Sequence, residues 1–324
     1  MSHIIFDDKR IELDDGQTVL SALLDSGYEI PNSCRAGACQ SCMMQAVEGD
    51  IPDGAQQGLK DTHKAQGFFL ACSCTPVTPL QITPLNSADS RITATVIEHN
   101  EIRTGILQLR MKPEQTIDYR AGQFINIYKD DNLSRSYSLA SVTELDDFLE
   151  LHIRRIEDGI VSSWLHDEIK IGDSLQIQDA SGDCFYIPGT PEEKILLAGT
   201  GTGLAPLIGI ARDALQQNHS GEIHLIHGAK QIDDLYMHQS LIDMAKQFTN
   251  FHYHASVLQA DKAVDPVSTD SIDKLILEIA TEASEWKSYL CGDVDIVNSL
   301  KKKLFLAGAS MSNIYTDPFI SATS

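Results

Sequence analysis

Three stretches of the chain differ in the period of their apolar positions. Up to about Leu85 the apolar runs are short. They predict strands at Ile4–Phe6, Ile11–Leu13, Met43–Val47 and Leu80–Thr83, and one helix, Val19–Asp25, capped by Thr18 and ended by Gly27. From Arg91 to about Thr190 apolar and polar residues alternate with period two. The runs Arg91–Ile97, Gly105–Met111, Gln123–Tyr128 and Phe148–Arg154 are separated by turn residues, which predicts a barrel or sandwich with one helix at Val161–Glu168. From Pro191 onward strands and helices take turns. Strands are expected at Lys194–Ala198, Glu222–His227, Phe251–Val257 and Ser288–Cys291, and helices at Leu204–Gln216, Asp233–Phe248, Ser271–Glu282 and Val294–Leu306. Such alternation predicts a parallel sheet covered on both faces.

The small polar run Asn86–Ser90 reads as a linker. A length of 324 residues exceeds one ordinary core. The expected division is therefore 1–88, 89–190 and 191–324.

Charge adds one constraint. The chain has 25 basic and 46 acidic residues, a net charge of −21. Residues 1–88 hold 11 acids and 5 bases, 89–190 hold 18 and 10, and 191–324 hold 17 and 10, so the acidity is distributed and not a tail. That field opposes nucleic-acid binding and suits a basic patch on a partner. No apolar run is long enough to span a bilayer, and residues 1–8 lack the pattern of a signal peptide or membrane anchor. Five of the seven Cys fall between residues 34 and 74. Clustering of this kind without an export signal reads as metal binding in a reducing cytoplasm, not as disulfides.

Cys34, Cys39 and Cys42 are separated by four and then two residues, and Cys72 follows after 29 more. This is the C-x₄-C-x₂-C…C spacing that holds a [2Fe–2S] cluster. Ala36, Gly37 and Ala38 are small enough to let backbone N–H groups turn toward sulfur. Zinc sites usually pair C-x₂-C knuckles, which this spacing lacks. By chemistry alone either Cys72 or Cys74 can be the fourth ligand. The segment resembles plant-type ferredoxin domains, a β-grasp α+β fold, and the resemblance puts the fourth ligand on Cys72 and leaves Cys74 to packing.

In the strand-rich segment, Arg135-Ser136-Tyr137-Ser138 follows a predicted strand and Gly159-Ile160-Val161-Ser162 opens a predicted helix. Arg neutralises pyrophosphate, Tyr covers a ring, and a helix start offers amides to phosphate. The two motifs resemble the R-x-Y-S and G-x-x-S of the ferredoxin–NADP⁺ reductase superfamily, whose antiparallel barrel binds FAD. The resemblance implies that Arg135 and Ser162 hold the pyrophosphate, with Tyr137 against the isoalloxazine and Ser138 near its reactive edge. It also implies that Gly159 and Val161 belong to the phosphate-facing helix start, and His152-Ile153-Arg154 to the second FAD-contacting strand. Ser181-Gly182-Asp183 departs from the superfamily's usual loop.

Farther on, Gly199-Thr200-Gly201-Thr202-Gly203 links a strand to a helix, the arrangement that lets a backbone approach a dinucleotide. It resembles the superfamily's G-T-G-x-A/G-P pattern in its α/β NAD(P)-binding domain. Cys291-Gly292-Asp293 follows another strand, and the resemblance places Cys291 beside the nicotinamide. Phe319, in the tail Ile314–Phe319, is expected to cover the flavin until nicotinamide displaces it. The stretch after the third strand, Leu258–Asp261 with Lys262 beyond, offers no Arg for a 2′-phosphate, which favours NADH over NADPH.

Taken together, the motifs resemble reductase components of bacterial oxygenases and the reductases that serve deoxysugar dehydratases. The resemblance implies electron flow from NAD(P)H through FAD and [2Fe–2S] to a redox acceptor protein. A passive carrier without hydride transfer is the alternative, as is a respiratory quinone reductase subunit, which would carry an N-terminal anchor. His252 and His254 share a strand face, but no third metal ligand is evident in the sequence, so they read as ordinary strand histidines. Lys301–Lys303 reads as a solvated helix face.

Overall fold

The structure is a computed structural model that describes residues 2–32, 34–37, 40–84, 91–131, 133–259 and 267–320. It divides into two compact units, Met1–Asp89 and Ser90–Ser324. The linker Asn86–Ser90, Cys39, Ala38, Asp261 and Lys262 lie outside the described residues.

The first unit contains β1 (His3–Phe6), β2 (Lys9–Glu12), α1 (Val19–Asp25), β3 (Met43–Glu48), α2 (Asp61–Ala65), β4 (Phe68–Leu70) and β5 (Leu80–Pro84). The strands form one mixed sheet in the order β2-β1-β5-β3-β4. Thr18 caps α1 as its residue type predicts, its Oγ1 accepting from the Ser21 amide at 3.2 Å. Val19, Leu20 and Leu23 then bury against Ile4, Phe69 and Leu80 of the sheet.

In the second unit β6 (Arg91–Arg103), β7 (Ile106–Pro113), β8 (Phe124–Asp130), β9 (Leu133–Ser138), β10 (Leu149–Arg154), α3 (Ile160–Asp167) and β11 (Ser174–Gln178) come first. The sheet order is β10-β7-β6-β11-β8-β9, with antiparallel pairs. A bridge from Leu139 to Leu151 brings its two edges together into a barrel. Ile92, Leu107, Leu109, Ile125, Leu151 and Ile177 fill the interior.

The rest of the unit is β12 (Lys194–Thr200), α4 (Leu204–Gln216), β13 (Ile223–Ala229), α5 (His238–Gln247), β14 (Phe251–Val257), β15 (Val267–Ser268), α6 (Ile272–Ile279), β16 (Trp286–Asp293), α7 (Val294–Leu306) and β17 (Ile314–Phe319). All six strands are parallel, in the order β15-β14-β13-β12-β16-β17. Alternate residues face opposite layers. Ile195, Leu197, Leu225 and Tyr289 pack with α4, and Leu196, Ala198, Ile226 and Leu290 pack with α6 and α7. The strand order reverses direction between β12 and β16, the kind of position where open α/β sheets bind ligands.

Several expectations are corrected. Arg135–Ser138 follows a strand, β8, as expected, but it also lies inside a further strand, β9, because it pairs with Phe124–Ile127 of β8 in a hairpin. The helix expected from Asp233 begins only at His238. Met237 takes a left-handed φ of 57°, which the preceding turn requires, and Tyr236 is buried instead of helical. The sequence pattern does not predict the strands β4, β9, β11, β15 and β17; β4, β11 and β15 are short, and β17 is read in sequence only as an aromatic tail.

Candidate functional site

In the first unit the cysteine loop bends through left-handed backbone at Arg35 (φ 51°), Gly37 (φ 75°) and Gln40 (φ 57°). Such turns aim successive amides inward, a cradle for negative charge. The Ala36 amide donates to Cys34 Sγ at 3.4 Å. Cys42 and Cys72 are in hydrogen-bond contact, and the Gly37 amide also reaches the Cys72 sulfur. Burial alone would raise the Cys72 thiol, but bonds from Ser73, Cys42 and Gly37 outweigh it and lower the pKa. Cys74 differs: it is fully buried in the apolar core, which pushes its thiol up to about 12. Three sulfurs near the loop and amides turned toward them fit an anionic iron–sulfur cluster.

In the second unit a cavity of about 570 Å³ lies between the barrel and the C-terminal ends of the parallel strands. That volume suits a large organic ligand. Arg135, Ser136, Tyr137 and Ser138 of β9 line it, with His152 and Arg154 of β10 and Gly159–Ser162 at the start of α3. Arg135 donates to the Ser134 carbonyl at 2.8 Å and has no ion pair among the described residues. The first amides of α3 have no partner within the helix, as at any helix start, and so are available to phosphate. Ser162 Oγ accepts from the Ile156 amide at 3.2 Å and donates to the Gly159 carbonyl at 3.3 Å, fixing the loop before the helix. Burial raises the Tyr137 pKa, so the ring is a neutral phenol. These features fit a flavin dinucleotide: a cation, a helix start and an aromatic ring on one wall.

Some expected residues have structural partners as well, His152 and Val161 while lining the cavity and Ile153 without being part of that lining. Ile153 and Val161 point into the barrel core. His152 has both ring nitrogens engaged, with Glu150 at 2.9 Å and Tyr236 at 3.1 Å. Burial favours a neutral Glu150, but the contacts from His152 and Arg110 overcome this and hold it at about 2. Asp293 commits its carboxylate to capping α7, accepting from Asp295 N at 3.0 Å and Ile296 N at 3.3 Å.

The nicotinamide candidates form a row across the sheet. Gly199 of β12 lies beside Cys291 of β16, which lies beside Asp317 of β17. A Cβ on Gly203 would stand 2.4 Å from the Cys291 carbonyl oxygen, and one on Gly292 (φ +118°) would stand 2.8 Å from that of Thr200. These glycines therefore let the two strand-end loops touch, whereas Gly201 has open space around it. Thr202, Asp317 and Phe319 reach the cavity. Cys291 is buried with its sulfur 3.7 Å from that of Cys184, and burial keeps it a thiol.

Asp317 is a residue that sequence reasoning missed. Ser138 donates to it at 2.5 Å, tying the barrel to the sheet edge. Burial, helped by Asp183 and opposed by the Ser138 bond, raises its carboxyl to about 6. The tail motif contained it, but only the β16–β17 register shows that it stands next to Cys291.

Comparison with known proteins finds three domain families along the chain. A 2Fe-2S iron-sulfur cluster binding domain matches residues 4–77, an oxidoreductase FAD-binding domain 93–186 and an oxidoreductase NAD-binding domain 197–302. The reductase subunit of an aromatic O-demethylase from an Amycolatopsis species is 30% identical, covering 97% of each chain. The chain belongs to the iron–sulfur flavoprotein reductases. The reductase is also 25% identical to the CDP-6-deoxy-L-threo-D-glycero-4-hexulose-3-dehydrase reductase of Yersinia pestis, over 95% of this chain and 94% of that one. Among solved structures it is similar to the Amycolatopsis cytochrome P450 reductase GcoB, with a TM-score of 0.67, 28% identity and coverage of 98% and 99%. The reductase is thus an NAD(P)H-dependent oxidoreductase with FAD and [2Fe–2S] that delivers electrons to a redox partner. No helix among the described residues is long and apolar enough to cross a membrane.

Proposed function

We propose that the chain is the NADH-preferring reductase component of a cytoplasmic oxygenase or dehydratase system, organised as 1–88 for the cluster, 89–190 for FAD and 191–324 for the nucleotide. The observation that carries the reading is the Ser138–Asp317 bond beside Cys291, which joins the barrel's cofactor wall to the ligand-binding edge of the sheet at one cavity. FAD and the cluster supply the conversion of a two-electron hydride donor into single electrons for the partner. The chain's residues bind and orient. Arg135, the amides at Gly159–Ser162 and Arg154 hold pyrophosphate, while Ser136 donates to Asn126 at 2.6 Å and stiffens the hairpin. Tyr137 packs against the ring system, and Ser138 and Asp317 stand at its reactive edge. Gly199–Gly203 and Gly292 admit the nucleotide backbone, Cys291 orients the nicotinamide as a neutral thiol, and Phe319 yields its place to that ring. Cys34, Cys39, Cys42 and Cys72 hold the irons.

Anaerobic stopped-flow mixing with NADH and then NADPH tests this. The expected record is loss of flavin absorbance followed by loss of the cluster's visible band, faster with NADH. A chain whose flavin neither nucleotide reduces is a passive carrier, and the nicotinamide roles fall with it.

A further inference from the structure

The strand register supplies what the sequence left wanting for the histidines. β13 and β14 run parallel with His224 beside His252 and Ile226 beside His254. Together with Glu222, which precedes β13, these side chains share the α6–α7 face at the N-terminal ends of the strands. Glu222, His224 and His252 each present a ligand atom, and the three atoms all lie within 4.8 Å of one another. His224 Nε2 stands 3.7 Å from Glu222 Oε2. The opposite nitrogen of that ring, Nδ1, is 3.0 Å from His254 Nε2. The rings of His224 and His254 are stacked at 5.1 Å, and Trp286 closes the inner side 5.3 Å from His224. Lys194, the neighbouring cation, is already paired with Glu285 at 2.8 Å.

We propose that Glu222, His224 and His252 bind one zinc-class divalent cation, with His254 as the positioning residue that orients His224. Zinc takes His nitrogen at about 2.0–2.1 Å and carboxylate oxygen at about 2.0–2.2 Å in a tetrahedron, which puts ligand atoms roughly 3.3 Å apart. The 3.7 Å pair of Glu222 and His224 needs to close by a few tenths of an ångström, and the pairs with His252, within 4.8 Å, by at most about 1.5 Å. Two imidazoles and one carboxylate suit zinc, nickel or copper, whereas calcium and magnesium require more oxygen ligands. A bond from the far ring nitrogen to an outer partner is the usual way a ligand His is fixed, and His254 provides it. Glu222 is exposed, giving the ion a way in and leaving its fourth position to water. The site lies at the strand ends opposite Gly199–Gly203, away from the hydride chemistry. Its effect is to clamp β13 to β14.

The test is calorimetric titration of the holoprotein with zinc chloride, flavin and cluster absorbance confirming that both cofactors stay in place. One equivalent should bind and raise Tm. His252→Ala should abolish that isotherm, the exposed Glu222→Gln should weaken it, and His254→Phe, which keeps a stacked ring but no nitrogen, should weaken it about 10–100-fold. Absence of zinc binding by the wild type overturns the proposal. So does an unchanged one-equivalent isotherm in Glu222→Gln and His252→Ala, which would put the ion elsewhere.

Discussion

At the scale of single residues, Asp317 has the most informative environment. Its carboxyl is raised from 3.8 to about 6, chiefly by burial. The folded state therefore binds more protons than the unfolded one between these values. The resulting stabilisation is fully present below about pH 4 and is lost as pH rises through 6. Asp317→Asn removes this dependence. Chemical unfolding of the holoprotein at pH 5 and pH 7.5 should show the variant gaining on the wild type toward the higher pH, by about 1–1.5 kcal/mol, roughly half of the full linkage. A constant difference across that range would mean that the carboxyl titrates normally. Legibility at this scale was uneven. Arg135, Tyr137 and Ser162 were visible because each stands in a local motif whose chemistry is evident from residue type. Asp317, Tyr236 and the Cys184 contact with Cys291 were not, because the partners are 179 residues apart for Asp317 and Ser138, 84 for Tyr236 and His152, and 107 for the cysteines. Cys72 and Cys74 could not be separated by spacing; what distinguishes them is that one sulfur meets Cys42 and the other lies in the core.

At the scale of elements, the start of α3 shows how a loop makes a binding surface. A Cβ on Gly159 would stand 2.5 Å from Ser162 Oγ and 2.8 Å from Ile156 Cβ. Gly159→Ala must therefore push the loop off the helix, breaking the bond that Ser162 makes to the Ile156 amide. The amides meant for pyrophosphate would turn with it. The variant should purify with FAD occupancy well below wild type and with stability reduced by about 1–3 kcal/mol. Flavin-to-protein absorbance ratio measures the first and denaturant unfolding the second; full occupancy would remove the helix start from FAD binding. The period-two and period-3.6 patterns gave most elements, and the helices α1, α4 and α7 to the residue. They failed where tertiary contacts decide. α5 starts late because Tyr236 turns inward to His152. β17 exists because β16 offers it an open edge, a fact of topology that no local pattern contains.

At the scale of the whole molecule, the net charge of −21 governs encounters. The unit that carries the cysteine loop holds 11 acids against 5 bases in residues 1–88, so a partner approaching it meets a negative field. A basic acceptor is drawn in, and salt weakens the attraction as the Debye length shrinks from about 30 Å at 0.01 M to about 10 Å at 0.1 M. The rate of cytochrome c reduction, with that basic haem protein standing in for the partner, should fall roughly tenfold or more between about 0.01 M and 0.3 M salt. Ferricyanide supplies the opposite sign. It is an anion, so the same field repels it, and screening should leave its reduction by NADH unchanged or faster. The pair of acceptors separates docking from chemistry. If both rates fall together, salt is acting on nucleotide binding or on internal electron transfer. If neither responds, the acidity belongs to solubility and the partner recognises the reductase by apolar contact.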